Sequence, residues 1–135
     1  MSLIRWNDSF SVNVGKIDRE HQKLVEMVNE LTDAMKKGHG RDVIGEILNG
    51  LIAYTASHFQ TEETYFRQVK YPYTEEHKKE HAAFVQKVTE FKREFDAGRA
   101  TVSVNVLQFL SKWLQTHIKG ADRKYSSYLN EKGIK

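Results

Sequence analysis

Four stretches of this chain repeat apolar residues at three- and four-residue steps, and each is bounded by residues that stop a helix. Leu24, Val25, Val28, Leu31 and Met35 form the first series, closed by Gly38-His39-Gly40. Ile44, Ile47, Leu48, Leu51, Thr55, Phe59 and Phe66 form the second. It must stop before Tyr71-Pro72, because the residue preceding a proline is pushed out of the helical region. Phe84, Val88, Phe91 and Phe95 make a third series up to Gly98. Val106, Phe109, Leu110, Trp113, Leu114, Ala121 and Tyr125 make a fourth. This period marks a helix with a single apolar stripe, which has to be buried against another element. Short connections then place consecutive helices antiparallel. The expected fold class is all-α, an antiparallel up-down-up-down four-helix bundle with an extended N-terminal arm. The expected organisation is one domain over 1–135: arm 1–17, helical bundle 18–129, polar tail 130–135. Trp6, Phe10, Val12, Val14 and Ile17 are expected to pack the arm onto the bundle. Asp18 and Thr74 are expected N-caps of the first and third helices. The second helix is expected to start near Asp42 and the fourth between Ser103 and Asn105.

Composition narrows the function. With 135 residues, 39% of them hydrophobic, the chain can bury one real core. It has no cysteine, which excludes disulfides, thiolate metal sites, Fe–S clusters and a cysteine nucleophile. The net charge of +3 is spread over interspersed signs, with no basic block of the kind that binds nucleic acid. No apolar run approaches the ~20 residues of a membrane span, and Met1 to Trp6 does not read as a secretory signal. The expectation is a cytoplasmic monomer with no nucleic-acid or membrane partner.

Five of the six histidines lie on the apolar stripes. His21 shares the face of Leu24 and Val28. His58 continues Leu51 and Thr55, and Glu62 follows one turn later. His77 and His81 lead into Phe84 and Val88. His117 follows Leu110, Trp113 and Leu114. Only His39, between two glycines, reads as solvated. Most single histidines on an apolar face are simply hydrogen-bonded core residues. Five together, plus carboxylates, are different. Each unpaired buried polar group costs about 1–3 kcal/mol, so the total rivals the ~5–15 kcal/mol stability of a domain. Bound metal offsets this cost, since an imidazole gives one nitrogen to the ion and the other N–H to a carbonyl or carboxylate. In an antiparallel bundle all five histidines also fall at one end.

HxxxE (His58, Glu62) and HxxxH (His77, His81) put two ligands on one helix face, about 40° apart. One ion rarely takes five histidines, so two ions with bridging oxygen ligands are expected. Glu62 is one bridge and Asp122 the best second. Five residues place Asp122 about 140° from His117 on an ideal α-helix. It reaches the site only if the helix is distorted locally, and Gly120 is a candidate for permitting that. Phe59, Trp113, Leu114 and Ile118, with Phe84, are expected to wall the site. Tyr125 either hydrogen-bonds the cluster or closes the core.

The ordered set His21, His58-Gln-Thr-Glu62, His77-Lys-Lys-Glu-His81 and His117 to Asp122 resembles the hemerythrins, specifically the bacterial hemerythrin-like domains. Trp6, Val14-Gly15, Ile17-Asp18, Glu62-Glu63 and Trp113-Leu114-Gln-Thr-His117-Ile118 extend that likeness over almost the whole chain. The resemblance implies a non-haem centre of two iron ions (Fe2+/Fe3+) with an oxo or hydroxo bridge. One iron takes His77, His81 and His117. The other takes His21 and His58 and keeps a vacant position, and Glu62 and Asp122 bridge. It further implies reversible binding of dioxygen for transport, storage or delivery, without catalysis. An oxygen- or redox-sensing domain of a receptor, or an enzyme acting on peroxide or nitric oxide, shares the same ligands.

Two other metal chemistries fit less well. Ferritin-like oxidases use Glu-x-x-His pairs, and no glutamate here has a histidine three residues on. His77-Lys-Lys-Glu80-His81 matches the H-x-x-E-H of a zinc hydrolase. That reading leaves His21, His58, Glu62 and His117 without a role, and Glu80 is more simply expected to be solvated.

Overall fold

The computed structural model describes residues 4–99 and 101–135. Four rods run up and down, and no strand occurs among the described residues. They are α1 (Gly15–Lys36), α2 (Arg41–Val69), α3 (Thr74–Asp96) and a composite fourth rod. The fourth begins as α4 (Val104–His117), widens into one π-helical turn at Ile118–Asp122 and continues as α5 (Arg123–Glu131). The expected bundle is therefore present. Lys70 (φ 54°) closes α2 just before Tyr71-Pro72, and Gly38 (φ 69°) and Gly98 (φ 78°) take the left-handed conformation after α1 and α3. The Ser103 side chain caps α4 by accepting from the Val106 N–H at 3.3 Å.

Several boundaries differ from the sequence expectation. α1 starts at Gly15, three residues before Asp18. Asp18 instead serves the preceding segment: its carboxylate accepts from the Val12 N–H at 2.8 Å and the Ser11 hydroxyl at 2.6 Å. Thr74 is the first residue of α3 rather than its cap, and its hydroxyl donates back to the Tyr71 carbonyl at 2.6 Å. The segment before α1 contains a 3-10 turn (Asp8–Phe10), so it does not run extended throughout, and Met1–Leu3 lie outside the described residues. Ile4, Phe10, Val12 and Val14 are buried, and Trp6 stacks on Phe10 at 5.2 Å. The segment is tied at both ends: Ile4 exchanges two bonds with the Asn29 side chain, and Ser126 donates to the Val12 carbonyl. Nor does the C-terminus leave the core at residue 130. α5 runs on to Glu131, and Ile134 packs against the apolar residues beneath it.

The interior holds two apolar clusters of unequal size. The larger one fills most of the bundle from Leu31 and Leu48 to Phe59, Leu114 and Ile118. The smaller one (Val12, Val14, Ile17, Phe66, Tyr71, Tyr125, Leu129) closes the end where the N-terminal segment crosses α5. The histidines and their carboxylates lie between the two.

Candidate metal centre

Each rod supplies one face of this polar layer. His21 comes from α1, His58 and Glu62 from α2, His77 and His81 from α3, His117 and Asp122 from the fourth rod. All seven are buried, with Glu62 and Asp122 completely so. Asp122 reaches the layer through the π turn. In that turn the backbone closes on the fifth residue rather than the fourth. Residue i+5 therefore returns over residue i, and Asp122 Oδ1 lies 3.1 Å from His117 Nε2. The local distortion demanded by the sequence spacing is present. Gly120 is not its steric cause, because a Cβ there meets nothing within 4 Å and its φ is ordinary.

The ligand-type atoms form two overlapping sets, each within 4.8 Å of one another. One comprises Glu62, His77, His81, His117 and Asp122; the other His21, His58, Glu62 and Asp122. Both carboxylates thus belong to both sets. His21 Nε2 approaches Asp122 Oδ2 at 3.0 Å, and His77 Nε2 approaches Asp122 Oδ1 at 3.0 Å. His58 and His81 Nε2 lie 3.4 and 3.2 Å from Glu62 Oε1. These approaches lack hydrogen-bond geometry. Among the described residues eight buried side-chain atoms have no hydrogen-bond partner: both His21 nitrogens, Nε2 of His77, His81 and His117, Glu62 Oε1 and both Asp122 oxygens. A buried orphan is costly, and seven of these eight face one another. A donor set of imidazoles and carboxylates, aimed inward from four helices, suits two cations.

The outward nitrogens tell the complementary story. His58 Nδ1 bonds Glu20 Oε1 at 2.7 Å, His81 Nδ1 bonds Glu63 Oε2 at 2.9 Å, and His117 Nδ1 bonds Glu80 Oε1 at 3.2 Å. A proton held on Nδ1 by a carboxylate leaves Nε2 with a lone pair directed at the centre. The pattern is regular. A glutamate adjacent in sequence to one cluster residue serves the histidine of the next rod: α1 to α2, α2 to α3, α3 to α4. Glu80 is therefore a partner of His117, not merely solvated, although its side chain is 53% exposed. The sequence carried a signal for these three, since each is the immediate neighbour of a cluster residue. Helical geometry turns such a neighbour about 100° away, toward the adjoining rod.

Rings fix the imidazoles from the other side. Phe59 stacks on His81 at 3.7 Å, and Trp113 stacks on His117 at 4.4 Å. Tyr125 resolves in favour of the cluster: its hydroxyl donates to Glu62 Oε2 at 2.5 Å. Burial, with the Glu62 and Asp122 charges, pushes the Tyr125 phenol well above its ordinary range, so it stays a donor. Burial alone lowers the His77 pKa, but Asp122 and Glu62 overcome it and carry the group up to about 10. Burial and the neighbouring Asp122 charge push the Glu62 pKa up; the surrounding histidines outweigh both and hold it below its usual range. Asp122 is held low in the same way, against burial, by His117, His21 and His77.

An apolar cavity of about 260 Å3 runs down the bundle from this layer. Phe59, Trp113, Leu114 and Ile118, expected as a wall, all line it, as does Phe84. Its polar end touches His21, His58, His117 and Asp122, but not His77, His81 or Glu62. His39, as expected, is exposed in the turn after α1.

A helical bundle that holds two overlapping donor sets at one level defines a class of protein, the non-haem dimetal bundles. The comparisons with known proteins agree and are more specific. Residues 12–129 match the family model described as the hemerythrin HHE cation binding domain. A bacteriohemerythrin of Methylococcus capsulatus is 35% identical over 131 residues, covering 96% of this chain and 99% of that protein. One of Stenotrophomonas maltophilia is 34% identical, covering 93% and 81%. A crystal structure of a wild-type hemerythrin superposes with a TM-score of 0.91 at 35% identity, over 95% of this chain and 98% of that one. The chain belongs to the hemerythrin family. No helix among the described residues is long and apolar enough to cross a membrane.

Proposed function

We propose that this chain is a non-haem diiron protein that takes up and releases dioxygen as a carrier, store or delivery protein, and that it is not an enzyme. In this reading one iron is held by His77, His81 and His117 and the other by His21 and His58. Glu62 and Asp122 would be shared by the two irons, and an oxo or hydroxo group would complete the centre. The observation that carries the proposal is an asymmetry. One donor set has five members and the other four, and the apolar cavity reaches both histidines unique to the smaller set. For two ions of equal coordination number, the ion at His21 and His58 is one ligand short, on the side where a small apolar molecule can arrive.

Two ferrous ions held by these residues would supply the two electrons that dioxygen takes up reversibly. The protein's part is exclusion and orientation. Phe59, Trp113, Leu114 and Ile118 keep the approach apolar, so the departure of a reduced oxygen species as a free anion is disfavoured. Tyr125 holds Glu62 in one orientation, and Glu20, Glu63 and Glu80 hold three imidazoles. The test is to load the protein with ferrous iron, expose it to oxygen, then remove the gas. Repeated return of the starting spectrum, with two irons per chain by metal analysis, is the expected result. Rapid one-way oxidation supports a sensing role, and sustained peroxide or nitric oxide turnover supports an enzyme.

A further inference from the structure

The cavity is far larger than a diatomic molecule needs. Its 260 Å3 exceeds the ~150 Å3 that accommodates a benzene ring in an engineered apolar cavity. It is also long. Its lining on α4 extends from Asn105 to His117, twelve residue steps or about 18 Å of helix. The walls are Leu, Val, Ile and Phe side chains from all four rods. Its exposed lining residues are Lys87 on α3 and Asn105 on α4. Lys87 Nζ rests over the Phe109 ring at 4.6 Å, and among the described residues no carboxylate pairs with it. The nearest acid along its own helix, Glu90, is bonded by Gln86.

A long greasy slot with an unpaired ammonium and an amide at its mouth matches one chemical class. We infer that the bundle binds a straight-chain monocarboxylate, with its alkyl chain in the cavity and its carboxylate at Lys87 and Asn105. The cation supplies the charge, and the Phe109 ring beneath it holds the ammonium at the rim. The amide of Asn105 adds a donor. The chain itself supplies most of the affinity, through apolar area removed from water. Neither Lys87 nor Asn105 belongs to the donor sets, so the carboxylate site does not depend on which metal the histidines hold.

The test is calorimetric titration of the protein as purified with hexanoate, octanoate and decanoate, all below their micellar concentrations, with the metal content of the same sample recorded. Affinity should rise about fourfold per added methylene, from ~0.8 kcal/mol for each buried group. Charge reversal at the mouth, Lys87→Glu, should weaken octanoate at least threefold and leave octan-1-ol unchanged. In a Trp6→Phe background, where Trp113 is the one remaining indole, binding should alter its emission. Affinity independent of chain length overturns the inference. So does octanoate binding equally to Lys87→Glu, octanol matching octanoate in the unaltered protein, or binding without a response from Trp113.

Discussion

The three-histidine and two-histidine sets share Glu62 and Asp122 but sit against different backgrounds. Behind His77 lie Phe66 and Tyr125, with ring centroids 4.9 and 5.6 Å away, in the cluster that closes the end of the bundle. His81 is covered by Phe59 and tied to Glu63. On the other side, His21 and His58 border the cavity. His58 has Glu20, whereas among the described residues neither nitrogen of His21 has a hydrogen-bond partner. The larger set is backed by rings and, of its three histidines, only His117 meets the cavity, whereas both histidines unique to the smaller set border that apolar space. A polar cluster can therefore be split into a holding half and a receiving half without any change in ligand chemistry, by what packs behind it.

This contrast can be broken experimentally, and the shared carboxylates give the largest effect. Glu62→Ala should abolish binding of both metal ions. It should also destabilise the metal-free fold by about 3–5 kcal/mol, because buried imidazoles lose their counter-charge; metal analysis and urea denaturation report the two effects. Next is the difference between the sets. His21→Ala should leave one ion per chain, retained by the five-member set, whereas His81→Ala should release metal from that set. A His21→Ala protein that still holds two ions sinks the division into unequal halves.

The outer carboxylates should matter less. Glu20→Gln, Glu63→Gln and Glu80→Gln should each weaken metal binding by roughly 10–100-fold. Competition with a chelator should rank Glu20 first and Glu80 last, following bond length and exposure. The pH response separates acid from base. Glu62 and Asp122 have depressed folded pKa values, so their contribution to the metal-free protein is complete above the ordinary carboxylate range and is lost as pH falls. His77 is raised from 6.5 to about 10, so its contribution is complete below pH 6.5 and fades as pH climbs toward 10. Thermal unfolding of metal-free protein should show both arms. The alkaline arm should vanish with metal bound, because the ligands are then already neutral imidazoles. The smallest effect is expected at Gly120→Ala, which should keep both ions and gain up to about 1 kcal/mol, since the site is open and helical.

The bundle was legible because periodicity and helix-stopping residues operate locally. Leu24, Leu51, Phe84 and Leu110 are buried where their spacing places them. The cluster was legible because histidines on apolar stripes are anomalous, and their order matches a known family. What escaped is set by contacts between rods. Asp18 and Thr74 have cap-forming chemistry, but the crossing N-terminal segment and the Tyr71 carbonyl claimed their side chains. Glu20, Glu63 and Glu80 look like ordinary surface acids until the neighbouring rod is positioned. The length of the cavity is likewise invisible in a stripe pattern, which says which residues face inward but not how closely they meet.

The π turn has a last consequence, concerning counting rather than chemistry. Past Asp122 the fourth rod is one residue out of step with a plain α-helix, and Tyr125 and Leu129 are fully buried in that shifted phase. Rewinding residues 118–121 as plain α-helix at full length would swing everything downstream by about 100°, and the hydroxyl that steadies Glu62 and the apolar plug beneath it would be lost together. Deleting one of these residues would instead absorb the extra residue and leave the downstream phase as it is. A single-codon deletion in this stretch can therefore be tolerated where a single-codon insertion cannot.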